Sequence, residues 1–495
     1  MKATKFIALA SITMLLFACE KEKNLMNDPL EESTTSLKSA SIQGASISNS
    51  FIVILGSIKL PKNFEKEIAS ANGSVISTIP EIGIAVVSSS DPDFTVEAAE
   101  IIGVEAVVPN LRSQYIDPDA KKESIEADLG NPHSKKKKVK VNASNPPVSS
   151  DDDFYFDLQW GHDAIDAPEA WDAGYRGEGV KVGVLDTGFD LDHPDLAPNI
   201  SGLSMDFTGQ GLQYTLPNAF SHGTHTAGTI AAADNGYGTI GVAPEAELVL
   251  IKVLYDEGYG SLYDILNGIV YAAIVKCDVI NMSIGSTFYK SGDVEDGYSA
   301  RDAAWYKNIY GRAITFAYQN GTTVIASAGN EATDYDHSAS LMHLPSGAAH
   351  AISISATAPV GWAADPSTNL DLFASTYSNY GQSAIDFAAP GGNYAYAFEP
   401  GGFNFCTVGI VTNYCYVFDY VFSTGNNGWY WSVGTSMAAP HATGVAALII
   451  GKNGGSMEPA EVKEALKASA DDLGKPGNDD FYGEGRVNAL KAVVN

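Results

Sequence analysis

Apolar positions along the chain recur in two kinds of run, and the spacing between the runs predicts two kinds of domain. Between Phe51 and Tyr115, FIVILGS, SVISTI, IAVVSSS and EAVVP are short strand-like runs, while NFEKEIASAN and TVEAAEIIG have the spacing of short amphipathic helices. The order βαββαβ predicts a small α+β domain of ferredoxin-like type over 51–115. From about Asp153 the runs become continuous. VKVGVLD, AELVLIKVL, CDVINMSIG, TTVIASAGN and HAISISA have no polar alternation, as expected of parallel strands covered on both faces. Helical stretches such as SLYDILNGIVYAAI and GRAITFAYQN separate them. This alternation predicts an α/β domain over 153–495, a doubly wound and mostly parallel sheet with its sites at the carboxyl ends of the strands.

The segments around these domains read differently. Two lysines precede an apolar run from Phe6 to Ala18 that is too short to span a bilayer, so residues 1–18 are expected to be an export signal. Its end, Leu16-Phe17-Ala18-Cys19, resembles a bacterial lipobox, which makes Cys19 a candidate for lipidation; an ordinary signal with an incidental cysteine is the alternative. Residues 19–50 are Ser-, Thr-, Lys- and Glu-rich and predict a tether. Residues 116–152, with the lysine run Lys135 to Lys138, predict an exposed linker that carries a processing site. The lysine run could instead meet a polyanion. A net charge of −29 excludes nucleic acid as a partner of the whole chain. In an exported protein Cys406 and Cys415 are a plausible disulfide, whereas Cys277 lies in a strand pattern and is expected in the core. Aromatic residues crowd 391–431, among them Tyr394, Phe405, Tyr416, Phe422 and Trp431, and their alternation predicts a long hairpin.

Candidate chemistry sits where the strands end. VKVGVLDTG closes a buried run on Asp186, and SHGTHTAGTIAA opens a helix on His222. His222 and His225 lack the i, i+4 spacing and adjacent glutamate of a helical zinc site. TTVIASAGN ends on Asn330, read either as a turn residue or as a hydrogen-bond donor to a reacting group. GTSMAAPHATG places Ser436 before an apolar helix, either as a cap or as a nucleophile at the positive end of the helix dipole. The pattern G-x-S-x-G is not met, because Met437 and Ala438 follow the serine.

DTG, HGTHTAG and GTSMAAP in this order resemble the three signatures of the subtilisin-like serine endopeptidases, over about 160–494. The resemblance implies a secreted enzyme made as a zymogen. Asp186 would orient an imidazole, His222 would act as base and then acid, Ser436 would be the nucleophile, and Asn330 with the Ser436 N–H would bind the oxyanion. It implies that protein or peptide substrates pair as an added strand with Gly258-Tyr259-Gly260 and with Ser283-Ile284-Gly285. Ser327-Ala328-Gly329 would line the main specificity pocket, whose small residues leave room for a medium or large apolar side chain. It implies no organic cofactor but a structural calcium ion at Asp195 and Asn235, although Phe156 stands where the family has an amide ligand. Residues 51–115 resemble the family's inhibitory propeptide in position and element order. The expected molecule is a monomer whose precursor is anchored to an outer membrane only by its lipid, and whose mature form is periplasmic or extracellular. A catalytically silent binding protein on the same fold is the alternative.

Overall fold

In this computed structural model, residues 44–116, 125–126, 153–217 and 220–494 are described. The export signal, Cys19 and all of the linker except residues 116 and 125–126 lie outside them. The leader begins with β1 (Gly44–Leu55), α1 (Phe64–Ser70), β2 (Ser74–Ile79), β3 (Ile84–Ser88), α2 (Phe94–Ala99) and β4 (Val104–Gln114). Its strands pair antiparallel in the order β2-β3-β1-β4. Side chains alternate across a strand, so each leader strand serves two layers. Val53, Leu55, Ala85 and Val87 pack under the two helices with Phe64 and Phe94. Ile52, Ile54, Ile84, Val86 and Val108 turn the other way, onto the larger body. Residues 44–50, expected as tether, belong to this sheet: Gly44, Ala45 and Ser46 pair with Ser113, Arg112 and Leu111 beyond a shift in register. Asn49, at φ 60°, lies in that shift. The stretch 44–50 holds one large apolar side chain, Ile47, and for that reason its strand signal is weak.

Beyond the two-residue strand β5 (Ile125–Glu126), the body is built on β6 (Lys181–Asp186), β7 (Met205–Asp206), β8 (Glu247–Lys252), β10 (Val279–Met282), β14 (Thr323–Ser327), β16 (Ala351–Ala358), β17 (Leu372–Phe373) and β18 (Phe387–Pro390). They run in the order β17-β16-β14-β10-β6-β8-β7, with β18 also on β16. Every pairing is parallel except β16 with β17. On one face lie α3 (His222–Ala231) and α6 (Thr435–Lys452), whose Ile230, Val445 and Leu448 meet Val182, Val184 and Leu250. On the other lie α4 (Leu262–Ile274) and α5 (Ala300–Gln319), packed on Leu185, Val249 and Ile280 and, beyond them, on the leader. Each such fully buried aliphatic side chain contributes about 1.5–3 kcal/mol. Cys277 is buried in this layer, with its sulfur 3.2 Å from the place a Cβ on Gly183 would take, and burial pushes its thiol up to about 12.

Two segments depart from the sequence reading. Helix α5 starts eleven residues before the GRAITFAYQN run, because Ser299 and Asp302 cap each other's backbone N–H groups at 3.3 and 2.8 Å. The aromatic stretch is two short hairpins and not one long one: β19 (Phe405–Val408) with β20 (Val411–Tyr414), then β21 (Val421–Gly425) with β22 (Gly428–Ser432). The first is closed by the Cys406–Cys415 disulfide. The break between them is a 3₁₀ turn at Cys415–Asp419, whose Asp419 carboxylate accepts the Gly361 and Trp362 N–H groups at 2.7 and 2.9 Å. Buried Phe418, Phe422 and Trp431 form an apolar cluster with Tyr155 and Trp160.

Candidate active site

Strand β6 delivers Asp186, fully buried, to the carboxyl rim of the sheet. Opposite it, helix α3 can begin at His222 because Ser221 caps it, its hydroxyl accepting the Thr224 N–H at 3.1 Å. The His222 Nδ1 lies 2.8 and 2.9 Å from the two Asp186 carboxylate oxygens. Thr187 N–H and the Thr226 hydroxyl donate to the same carboxylate at 2.7 and 3.1 Å. Four contacts thus fix one carboxylate, and the carboxylate fixes the ring: Nδ1 carries the proton and Nε2 is left with its lone pair. A Cβ on Gly223 would lie 2.9 Å from the Thr187 carbonyl, so only glycine lets the helix come this close.

Helix α6 starts at Thr435, behind Gly434, whose φ of 149° favours glycine. The Ser436 N–H is in the first turn and is not used by the helix. Asn330 stands beside it. Its Oδ1 accepts both the Thr435 N–H at 2.9 Å and the Thr435 hydroxyl at 3.0 Å, while the Gly329 N–H donates to that hydroxyl oxygen at 3.1 Å. This relay orients the amide and leaves Nδ2 as its free donor. Helices α3 and α6 lie side by side through Ala227, Ile230, Ala438 and Ala442. The Ser436 hydroxyl, however, donates to the Ser283 carbonyl at 3.0 Å and makes no hydrogen bond to His222; the Ser283 hydroxyl returns a bond to the Ser436 carbonyl at 2.7 Å.

Of the expected substrate-pairing segments, β9 (Tyr259–Ser261) is already paired: Gln114, Ser113 and Arg112 of β4 lie against Tyr259, Gly260 and Ser261. Tyr115 and Ile116 N–H groups donate to the Gly258 carbonyl at 3.0 and 3.1 Å. Ser283-Ile284-Gly285 follows β10, and Ser327-Ala328-Gly329 ends β14, all buried except half-buried Gly285. Sequence reasoning missed Glu331 and His343, which lie against Gly329 and Gly285. Glu331 was findable as the neighbour of Asn330. His343 carries no local signal, since it arrives through pairing of β15 (Leu341–Leu344) with β11 (Ser286–Tyr289).

Asp195 and Asn235, expected as calcium ligands, are both engaged by hydrogen bonds. The Asp195 Oδ2 accepts the Thr239 N–H at 2.9 Å, the Thr239 hydroxyl at 3.3 Å and the Trp429 indole N–H at 2.8 Å. Asn235 Nδ2 donates to the Pro194 carbonyl at 3.3 Å, and the N–H groups of Asn235 and Tyr237 point at Asp153, at 3.4 and 3.2 Å. Calcium requires six to eight oxygen ligands, and this loop presents hydrogen-bond donors to its carboxylates. Asp195 Oδ1 alone is buried without a partner. Burial raises the Asp195 carboxyl to about 6 and the Asp153 carboxyl to about 7, the latter helped by the nearby Asp234 charge. Among the described residues no group of three or more His, Cys, Asp or Glu side chains is placed to hold a metal ion.

The family described as the subtilase family, Peptidase S8, matches residues 177–485. Thermitase of Thermoactinomyces vulgaris is 31% identical over 344 residues, 69% of this chain and 98% of that protein. Subtilisin BL of Lederbergia lenta is 34% identical over 337 residues, 68% of this chain and 98% of that one. The epidermin leader peptide processing serine protease of Staphylococcus aureus matches in fold, with a TM-score of 0.67 at 21% identity over 91% of this chain and 98% of its own.

Proposed function

The chain belongs to the subtilase family of serine endopeptidases, and from that premise we propose an exported enzyme, made as a zymogen, whose chemistry runs through Asp186, His222, Ser436 and Asn330. The observation that carries this reading is the Asp186–His222 pair at 2.8 Å, its histidine on a helix packed against α6, whose first turn holds Ser436. Peptide backbone pairing along Ser283 would supply an N–H to the carbonyl that holds the Ser436 hydroxyl, freeing that hydroxyl to turn to His222. The Ser436 Oγ then attacks the scissile carbonyl carbon while its proton passes to His222 Nε2. Asn330 Nδ2 and the Ser436 N–H take the charge that develops on the oxygen. His222 returns the proton to the departing amine. Water then enters, gives a proton to His222 as its oxygen bonds to the acyl carbon, and the Ser436 Oγ leaves, taking that proton back from His222. Calcium has no part in this scheme. A serine-directed fluorophosphonate that labels wild type but not Ser436→Ala, together with casein hydrolysis by wild type alone, supports the reading. No labelling of the processed protein overturns it and favours a silent binding protein.

The leader is read as an inhibitory propeptide of ferredoxin-like topology. Its strand β4 lies on β9, where substrate would pair, and Arg112 stacks over Tyr259 with its guanidinium carbon 4.8 Å from the ring centre. The chain leaves that edge at Ile116 and is next described at β5, where Ile125 and Glu126 pair with Trp431 and Tyr430 of β22. The precursor thus covers two edges, β9 and β22, and cutting the linker would uncover both. Lipid on Cys19 would anchor only the precursor. Cell fractionation tests this: equal membrane retention of the catalytic domain in wild type and Ser436→Ala counts against release. Among the described residues no helix is long and apolar enough to cross a membrane.

A further inference from the structure

We propose that His343 closes the main specificity pocket and restricts the residue on the acyl side of the scissile bond to small side chains such as Gly, Ala or Ser; this rests on the endopeptidase reading above. The two segments expected to wall that pocket are Ser283-Ile284-Gly285 and Ser327-Ala328-Gly329. Glycine in both leaves a slot between the backbones. The slot is not open. A Cβ on Gly285 would lie 2.2 and 2.4 Å from Cε1 and Nε2 of His343, and a Cβ on Gly329 would lie 2.8 Å from the same Nε2. One edge of one imidazole therefore touches both walls. Beside it, the Gly329 Cβ position is also 2.7 Å from the Glu331 carboxylate, which the Asn379 amide holds.

The ring is fixed in that place. Thr287 of β11 pairs with His343 in β15. The His343 Nδ1 lies 2.7 Å from the Ser346 hydroxyl, and Tyr335 sets its ring edge-on, with centroids 6.3 Å apart. Tyr335 is itself tied to Thr287 through their hydroxyls at 2.9 Å. His343 is 5% exposed, and burial holds its imidazole below the usual range, against the opposing charge of Glu331. The ring is wedged between glycines and hydrogen-bonded at its far nitrogen, so any move away breaks that bond. A Phe, Tyr or Leu side chain would need the volume that the imidazole already fills. The β11–β15 pairing is what holds this histidine here, so the narrowing is a consequence of that pairing.

The test compares peptide anilides that differ only in the acyl-side residue: Ala, Ser, Leu or Phe. Since a single methylene in a pocket is worth about 10–200-fold, wild type is expected to favour Ala over Phe by at least tenfold in kcat/KM. His343→Gly and His343→Ala are expected to raise the Phe/Ala ratio at least tenfold. That ratio is internal to each enzyme, and a partly misfolded preparation lowers both rates alike. Wild type preferring Phe overturns the proposal, as does an unchanged ratio in variants that still take the fluorophosphonate label. Failure of the endopeptidase reading looks different: wild type then neither labels nor cleaves any member of the series.

Discussion

One turn of helix α3 separates the polar rim of the parallel sheet from the aromatic insertion beside it, and each region holds a histidine of the same helix. His222 faces the rim and meets a carboxylate that four contacts have fixed. His225 faces the insertion. Its Nε2 lies 3.1 Å from the Tyr430 carbonyl, and its Nδ1 is buried without a partner. Phe220 touches both rings, at 6.3 and 5.3 Å between centroids. Residue type is therefore no guide to role. A carboxylate within reach suits one imidazole to the proposed role of base, while a carbonyl among aromatic rings makes the other a packing element. The rim works through a few directed bonds and the insertion through area.

The comparison is broken most severely by removing the atoms that react. Ser436→Ala is expected to lower kcat by about 10⁶-fold, the range known for a subtilisin, and to leave the leader uncut. Hydrolysis rates and the mass of the secreted chain measure both. Asn330→Ala keeps nucleophile and base but removes one oxyanion donor. The expected loss is about 10²–10³-fold in kcat with KM little changed, again the range known for a subtilisin. A change confined to KM would show that Asn330 only positions substrate.

The rim was legible in the sequence and the insertion largely was not, for a physical reason. Asp186 ends β6, His222 opens α3 and Ser436 lies in the first turn of α6, so strand runs and helix starts locate these three. Asn330 lies three residues beyond β14, and its pattern alone leaves turn residue and donor both open. Buried parallel strands such as β6 and β10 announce themselves as continuous apolar runs. The role of Trp429, the position of His343 and the split into two hairpins depend on contacts between residues far apart in the chain. Asp419 breaks the aromatic stretch by binding the N–H groups of Gly361 and Trp362, and no pattern within 391–431 reveals that. Residues 44–50 were missed because Ile47, the one large apolar residue in a stretch of Gly, Ala, Ser and Asn, gives too short a period to read.

A subtler break of the comparison uses pH. Burial, and next the charge on His222, push the His225 imidazole down to about 3, against an ordinary value near 6.5. The folded state then refuses a proton that the unfolded chain accepts. This contribution to stability is complete above pH 6.5 and is lost as pH falls toward 3, at roughly 1 kcal/mol per pH unit. His225→Gln keeps a donor for the Tyr430 carbonyl and removes the titration. Denaturant midpoints between pH 7 and 4 should fall less steeply in the variant than in wild type. Equal slopes would mean that His225 is solvated and that the insertion does not seal it.

The smallest effects come from the place where insertion and body share a carboxylate. Trp429 donates its indole N–H to Asp195, and its ring packs on Tyr155 and His193, at 5.1 and 5.2 Å between centroids. Trp429→Phe keeps most of the area and removes the donor, which should cost about 1–3 kcal/mol at pH 7, where the carboxyl is ionised. Activity should be unchanged, because Asp195 makes no contact with Asp186 or His222. Chelation by EDTA should leave the melting temperature of wild type where it was. Were EDTA to lower it in wild type, an ion and not the indole would be what holds Asp195. The insertion would then border a metal site and no longer substitute for one.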